Sequence, residues 1–144
     1  MKHSLISLTL LILCMAKVSA QVDSSNVDIN ALPSTAEGFG INIVAREPYF
    51  INPAALAFDA KGRLFVGAGP QYRKPKPDTP GDYIKILVDN DEDGIAEEVK
   101  TFAEGFNNVQ ALAWKGDELW VANCPDVTVL RDTDGDDVAD EYIC

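Results

Sequence analysis

The strongest constraint on the fold is an internal repeat of short apolar segments separated by turns. Residues 55–66 recur as residues 111–121, and in both copies an apolar segment and a β-prone segment flank a turn that contains glycine. Alternating apolar runs around such a turn predict a β-hairpin. The chain therefore contains two predicted hairpins of the same kind.

Each predicted hairpin is followed by two more β-prone segments joined by an acidic loop. The second copy follows the first at an offset of 43 residues, with the matched pairs Ile84 and Val127, Leu87 and Leu130, and Asp89 and Asp132. The hairpins match at a wider offset because residues 70–81 are inserted in the first copy. Four short strands repeating every ~40–50 residues are typical of a β-propeller blade.

A single blade cannot bury both of its faces, so blades need neighbours. We therefore predict an all-β chain whose residues 38–144 form a β-propeller fragment of about two four-stranded antiparallel blades. A small two-sheet sandwich that happens to be repetitive is the alternative, but repeat spacing and strand count together favour the propeller. Trp114 and Trp120 lie in predicted strands, and we expect both in the core.

The N-terminus is typical of a secretory signal peptide. A short basic start leads into an apolar run over residues 5–15, and small residues precede Gln21. This pattern predicts a signal peptide over residues 1–20, cleavage after Ala20 and export to the periplasm or the extracellular space. An uncleaved N-terminal anchor is the alternative. Residues 21–37 are polar and are predicted to be a flexible lead-in, and the first strand is predicted at residues 41–46. No later segment is apolar enough to span a membrane.

Composition narrows the chemistry. The only histidine, His3, lies in the predicted signal peptide, so the mature chain would lack His-based catalysis and His-ligated metal or haem. The formal net charge of −11 disfavours nucleic-acid binding and suits cations. Cys124 and Cys144 would remain after cleavage, and the sequence leaves open whether they pair or stay free.

Two acidic loops, residues 89–97 (loop 1) and residues 132–140 (loop 2), carry the strongest chemical signal. Calcium prefers six to eight oxygen ligands, and alternate acidic side chains of a tight loop can converge on one ion. The predicted metal ligands are the side chains of Asp89, Asp91, Asp93 and Glu97 with the carbonyl of Ile95, and the side chains of Asp132, Asp134, Asp136 and Asp140 with the carbonyl of Val138.

The two loops differ from an EF-hand and from each other. Lys100 and Ile143 stand where an EF-hand has its bidentate glutamate, and strands rather than helices flank the loops. Gly94 supplies the sharp bend of loop 1, whereas Asp137 stands at that position in loop 2 and is expected to strain it. A polar hairpin turn without a metal is the alternative, although concentrated like charges repel. We expect a modest affinity of ~10⁻⁴–10⁻³ M.

The chain from Gly38 to Glu141 resembles the N-terminal propeller domain of bacterial membrane-bound dehydrogenases, relatives of the soluble PQQ-dependent glucose/sorbosone dehydrogenases. The resemblance rests on residues 43–48, 53–59 and 62–66 and on the two acidic loops. It implies a propeller fold and a PQQ cofactor whose site uses His and Arg residues of later blades. No position here matches a catalytic histidine, so the resemblance implies that no catalytic residue lies in this chain.

Three functions follow from these observations, and the sequence does not decide whether the chain is an enzyme. The first, which the family resemblance favours over the two alternatives, is an N-terminal fragment of an exported quinoprotein-like dehydrogenase, inactive alone, whose longer form would act on a sugar or alcohol. The second is a non-catalytic, calcium-stabilised propeller module for binding or adhesion. The third is a piece of a lactonase-like propeller hydrolase. In every case, open sheet edges are expected to make the chain self-associate.

Overall fold

The computed structural model describes residues 20–21, 32–72 and 77–144, and these residues form β-strands and no helix. No helix among them is therefore long and apolar enough to cross a membrane. Residues 1–19 of the predicted signal peptide (residues 1–20) and residues 22–31 of the predicted lead-in (residues 21–37) lie outside the described residues. The strands are β1 (Ala20–Gln21), β2 (Pro53–Phe58), β3 (Leu64–Ala68), β4 (Asp82–Val88), β5 (Glu98–Phe106), β6 (Val109–Lys115), β7 (Glu118–Asn123), β8 (Val127–Arg131) and β9 (Glu141–Ile143).

The strands form two antiparallel sheets that follow the predicted repeat. Sheet 1 has the order β1-β5-β4-β3-β2, in which the two-residue β1 extends a four-stranded sheet, and sheet 2 has the order β6-β7-β8-β9. The prediction of two four-stranded blades is confirmed. From β2 to β5 and from β6 to β9, each strand pairs antiparallel with the next strand along the chain.

The repeat extends to the details of the backbone. The first strand of each sheet has a register irregularity at the same place, between Pro53 and Ala55 in β2 and between Val109 and Ala111 in β6. The asparagine just before each irregularity has a left-handed backbone, with φ 51° at Asn52 and 56° at Asn108. Asparagine tolerates this conformation better than most residues. Equivalent sequence positions therefore produce equivalent local geometry.

Each sheet has two faces, which we call forward and rear. The forward face of sheet 1 carries the buried residues Phe65 and Ile86, and the rear face of sheet 2 carries the buried residues Leu119 and Leu130. These two faces pack together and form the larger hydrophobic core. Burial of this apolar surface is the main force that holds the two sheets together.

An aromatic cluster occupies the centre of this interface. The ring of Phe65 lies edge-on to Phe102 at 5.1 Å and to Trp114 at 4.8 Å between centroids. Gly67 lets sheet 2 approach closely, because a Cβ at that position would lie 2.7 Å from Val109 Cγ1 and 3.5 Å from Leu112 Cδ1. A larger residue at position 67 would push the sheets apart.

Residues 41–50 form a strap across the rear face of sheet 1. The sequence suggested a strand at residues 41–46, but these residues are outside both sheets. Val44 and Phe50 pack there against buried Val66 and Leu87. The amide of Ala96 donates to the Val44 carbonyl at 3.0 Å. The strap therefore covers part of the rear face of sheet 1, whereas the rear face of sheet 2 is covered by sheet 1.

The expectation for the tryptophans is confirmed for one of them. Trp114 is half-buried on the rear face of sheet 2 and packs against the core. Trp120 lies on the forward face of the same sheet and is 38% exposed, so the prediction of a core position is wrong. The alternation of a strand places the two residues on opposite faces, and only one face of sheet 2 is covered.

Candidate metal centre

Loop 1 begins directly after β4 and ends directly before β5. The amide of Glu97 donates to the carbonyl of Val88 at 3.0 Å, which closes the loop at its base. One carboxylate oxygen from each of four acids lies within 4.8 Å of the others, and these acids are Asp89, Asp91, Asp93 and Glu97. The structure thus brings together all four side chains that the sequence predicts as ligands, and the cluster could hold a metal ion.

Asp89 is the most informative member of this cluster. Its Oδ2 accepts a hydrogen bond from the amide of Gly94 at 2.8 Å. Its Oδ1 is buried and has no hydrogen-bond partner among the described residues. A buried carboxylate oxygen without a partner is costly, and a cation would satisfy it.

The other carboxylates of loop 1 shape the turn. Asp93 Oδ1 accepts from the amide of Ile95 at 2.8 Å, and Glu97 Oε2 accepts from the amide of Asn90 at 2.6 Å. Each carboxylate has a second oxygen and further lone pairs, so these bonds leave capacity for a cation. The role predicted for the Ile95 carbonyl stays a prediction.

Gly94 and the strap fix the position of loop 1. Gly94 has φ 86°, a conformation that favours glycine. A Cβ at this position would lie 2.8 Å from Asn42 Nδ2, and that same amide nitrogen donates to the carbonyl of Asp93 at 3.2 Å. The sequence pattern correctly placed the bend at Gly94 but gave no sign of Asn42, because the contact spans 51 residues.

Loop 2 has the same outline but a weaker cluster. Three carboxylates, those of Asp132, Asp134 and Asp136, lie within 4.8 Å of one another. Both oxygens of Asp132 already accept hydrogen bonds from the backbone, Oδ1 from Gly135 at 2.8 Å and Oδ2 from Asp137 at 2.9 Å. Each of the two carboxylate oxygens of Asp132 therefore has a hydrogen-bond partner, unlike those of Asp89.

Asp140, the fourth acid predicted for loop 2, is not part of this group. Its Oδ2 accepts from the amide of Thr133 at 3.1 Å and from the hydroxyl of Thr133 at 2.7 Å. Glu97 makes the equivalent amide bond in loop 1, but its side chain is one methylene longer. Val138 donates its amide to Asp136 Oδ1 at 3.0 Å, and the role predicted for its carbonyl stays a prediction.

Asp137 connects loop 2 to sheet 1. It has φ 67°, so the expected backbone strain is present. Its Oδ1 lies 2.5 Å from Arg63 Nη1 and its Oδ2 lies 2.6 Å from Lys100 Nζ. Burial alone would raise the pKa of Asp137, but the hydrogen bonds from Lys100 and Arg63 outweigh it and hold the pKa below its usual value. Asp137 therefore fastens the two sheets together.

Sequence reasoning missed two polar groups at the interface between the sheets. Arg63 also pairs with Asp59, with Nε and Oδ2 2.8 Å apart, and that pair continues the ion-pair chain. Asp82 is fully buried, and its Oδ2 accepts from the amide of Val109 at 3.0 Å. Arg63 reaches Asp137 across 74 residues and Asp82 reaches Val109 across 27, so no local sequence pattern could have revealed these two contacts. Cys124 and Cys144 are free, exposed thiols.

Two antiparallel blades that carry acidic loops at equivalent positions define a β-propeller module with a candidate cation site. The chain belongs to the family described as a domain of unknown function (DUF7133), whose model matches residues 30–142, which is most of the chain. No curated protein matches the chain, and no solved structure matches it.

Proposed function

We propose that this chain is a non-catalytic, calcium-stabilised β-propeller module in which loop 1 holds the ion. The observation that carries the proposal is the buried Oδ1 of Asp89, which has no hydrogen-bond partner among the described residues and belongs to one of the four clustered carboxylate side chains. The ion would satisfy this oxygen and would remove the mutual repulsion of the cluster.

The donor set favours calcium over other common cations. All four side-chain donors of loop 1 are carboxylates, and hard oxygen donors suit calcium or magnesium. Zinc and copper prefer nitrogen or sulfur, which loop 1 does not offer. Magnesium demands near-ideal octahedral geometry and keeps several waters, whereas calcium accepts six to eight ligands in an irregular loop.

Loop 2 is proposed as a second and weaker site. Its three carboxylates carry less charge than the four of loop 1, and both oxygens of Asp132 are already hydrogen-bonded. The nearby Arg63 and Lys100 side chains, which contact Asp137, further lower the attraction for a cation.

Calcium titration followed by calorimetry and thermal unfolding tests the proposal. With a dissociation constant of ~10⁻⁴–10⁻³ M, about 10 mM calcium should raise the free energy of unfolding by about 1.4–2.7 kcal/mol. Asp89→Asn should abolish most of this gain, whereas Asp117→Asn, an exposed acid in the β6–β7 turn, should leave it intact. Magnesium at the same concentration should give a smaller gain.

An unchanged free energy of unfolding on adding calcium would refute the proposal. So would an equal gain in wild type and Asp89→Asn, because the ion would then act elsewhere. If Asp132→Asn removed the gain and Asp89→Asn did not, the assignment of the stronger site to loop 1 would be wrong.

The dehydrogenase and lactonase roles stay predictions, because the family resemblance rests on blade motifs, which specify a fold rather than a reaction. The residues of this chain do not fit the PQQ site that the resemblance implies, since the described residues include no histidine. Dye reduction by a longer natural product with added quinone and a sugar or alcohol would test the first role. Metal-dependent ester cleavage would test the second.

A further inference from the structure

The contact between the two sheets uses two surfaces that recur elsewhere on the chain. On the rear face of sheet 2, Leu112 and Trp114 of β6 pack against the core. Trp114 meets Phe65, and Leu112 lies at the site that Gly67 leaves open. The forward face of one sheet therefore receives the rear side chains of the next sheet's first strand.

The forward face of sheet 2 has the same surface but no cover among the described residues. The repeat makes Trp120 equivalent to Phe65, Val127 equivalent to Ile84, and Ala122 equivalent to Gly67. Phe65 and Ile84 are fully buried, whereas Trp120 is 38% and Val127 53% exposed. Ala122 is also small, although its Cβ requires a wider spacing than the one that Gly67 allows between sheets 1 and 2. The exposed forward face of sheet 2 therefore corresponds to the forward face of sheet 1, which is covered by sheet 2.

The rear side of β2 shows the complementary surface, also open. Leu56 and Phe58 are equivalent to Leu112 and Trp114, yet they are 63% and 65% exposed. The strap leaves this inner part of the rear face free. Beside Leu56, an apolar groove of about 660 Å³ remains between the strap and β2, lined by residues that include Ile43, Phe50 and Val66.

We propose that a second copy of this chain docks head to tail on the first. Leu56 and Phe58 of one copy would cover Ala122 and Trp120 of the other. This contact repeats the sheet 1–sheet 2 interface, so it is a continuation of an interface that the fold already contains. Each copy has one surface of each kind, and the association is therefore heterologous.

The contact between copies is weaker than the contact within a copy. Asp137, Arg63 and Lys100 fasten the sheets within the chain. Their equivalents at the contact between copies are Gly94, Glu118 and Ile143, which cannot form the same ion pairs. Apolar burial alone drives this contact, so assembly depends on concentration. A head-to-tail contact can close into a ring, and rings of four to eight blades would contain two to four copies.

Light scattering and sedimentation of the full chain between about 10 µM and about 1 mM test the proposal. The wild type should shift from one copy towards an assembly of two or more. Trp120→Glu and Phe58→Glu should each remain monomeric, because each blocks one of the two surfaces. Phe39→Glu is the matched control, since Phe39 is 76% exposed and lies outside both surfaces. Its assembly should equal that of wild type.

A mixture of the two monomeric variants distinguishes this arrangement from others. Phe58→Glu keeps its forward face and Trp120→Glu keeps its rear surface, so the mixture should form a one-to-one dimer and nothing larger. Circular dichroism should show that both variants stay folded, because both side chains are exposed. Monomeric wild type over the whole range would overturn the proposal. If Trp120→Glu prevented assembly and Phe58→Glu did not, the proposal would also be overturned, because two forward faces would then be in contact.

Discussion

Asp137→Asn isolates the contribution of the ion pairs that fasten loop 2 to sheet 1. Asparagine keeps the size of the side chain and tolerates the left-handed backbone of residue 137, so only the charge is removed. Hydrogen bonds to charged groups contribute about 1.5–3 kcal/mol when shielded and about 0.2–1 kcal/mol when exposed. The Asp137 side chain is 20% exposed, and its partners are more exposed still.

The expected loss for Asp137→Asn at pH 7 is about 1–3 kcal/mol, read from urea unfolding. This loss of stability is smaller than for a variant that leaves a buried charge without any partner. Arg63 keeps its ion pair with Asp59, and Lys100 keeps a longer ion pair with Glu98. Asp137→Gly should lose about 1 kcal/mol less, since glycine also removes the backbone strain. A loss below about 0.3 kcal/mol would refute the fastening role.

The pH dependence gives an independent check. The pKa of Asp137 is lower in the folded chain than its usual value. Its stabilising contribution is therefore present above about pH 4 and is lost as pH falls through the lowered pKa. The difference between wild type and Asp137→Asn should shrink as the solution is acidified. A difference that stays constant down to about pH 2 would show that the variant acts through something other than the charge.

Three further substitutions test the fold and the site. Phe65→Ala should cost about 3–5 kcal/mol in urea unfolding, because it empties the centre of the aromatic cluster between the sheets. Asp82→Ala should cost about 2–4 kcal/mol in the same assay, because it leaves two backbone amides without their acceptor, including that of Val109. Gly94→Ala should reduce calcium affinity in calorimetry and loosen the strap in hydrogen exchange. Gly116→Ala, with φ 65° and nothing within 4 Å of its Cβ, should show backbone strain alone.

Local sequence patterns predicted the strands and the acidic loops because their causes lie within a few residues. Alternating apolar residues around glycine turns predicted the strands of the two sheets, and the repeat of this pattern predicted two equivalent blades. The same is true of the bend at Gly94. The prediction of a strand at residues 41–46 was wrong because these residues have β-prone side chains. Their exclusion from both sheets depends on tertiary packing, which no local feature of the sequence reveals.

The sequence alone therefore determined the repeat, the all-β architecture and the four carboxylates of loop 1, since each depends on neighbours along the chain. Only the tertiary structure decided which faces are covered and which acids hold the sheets together. Trp120 and Phe65 occupy equivalent positions, yet one is exposed and the other buried, because burial depends on what packs against the strand. Asp137 is one of many acids in the sequence, and its role arises only where the fold brings Arg63 and Lys100 within 3 Å of it.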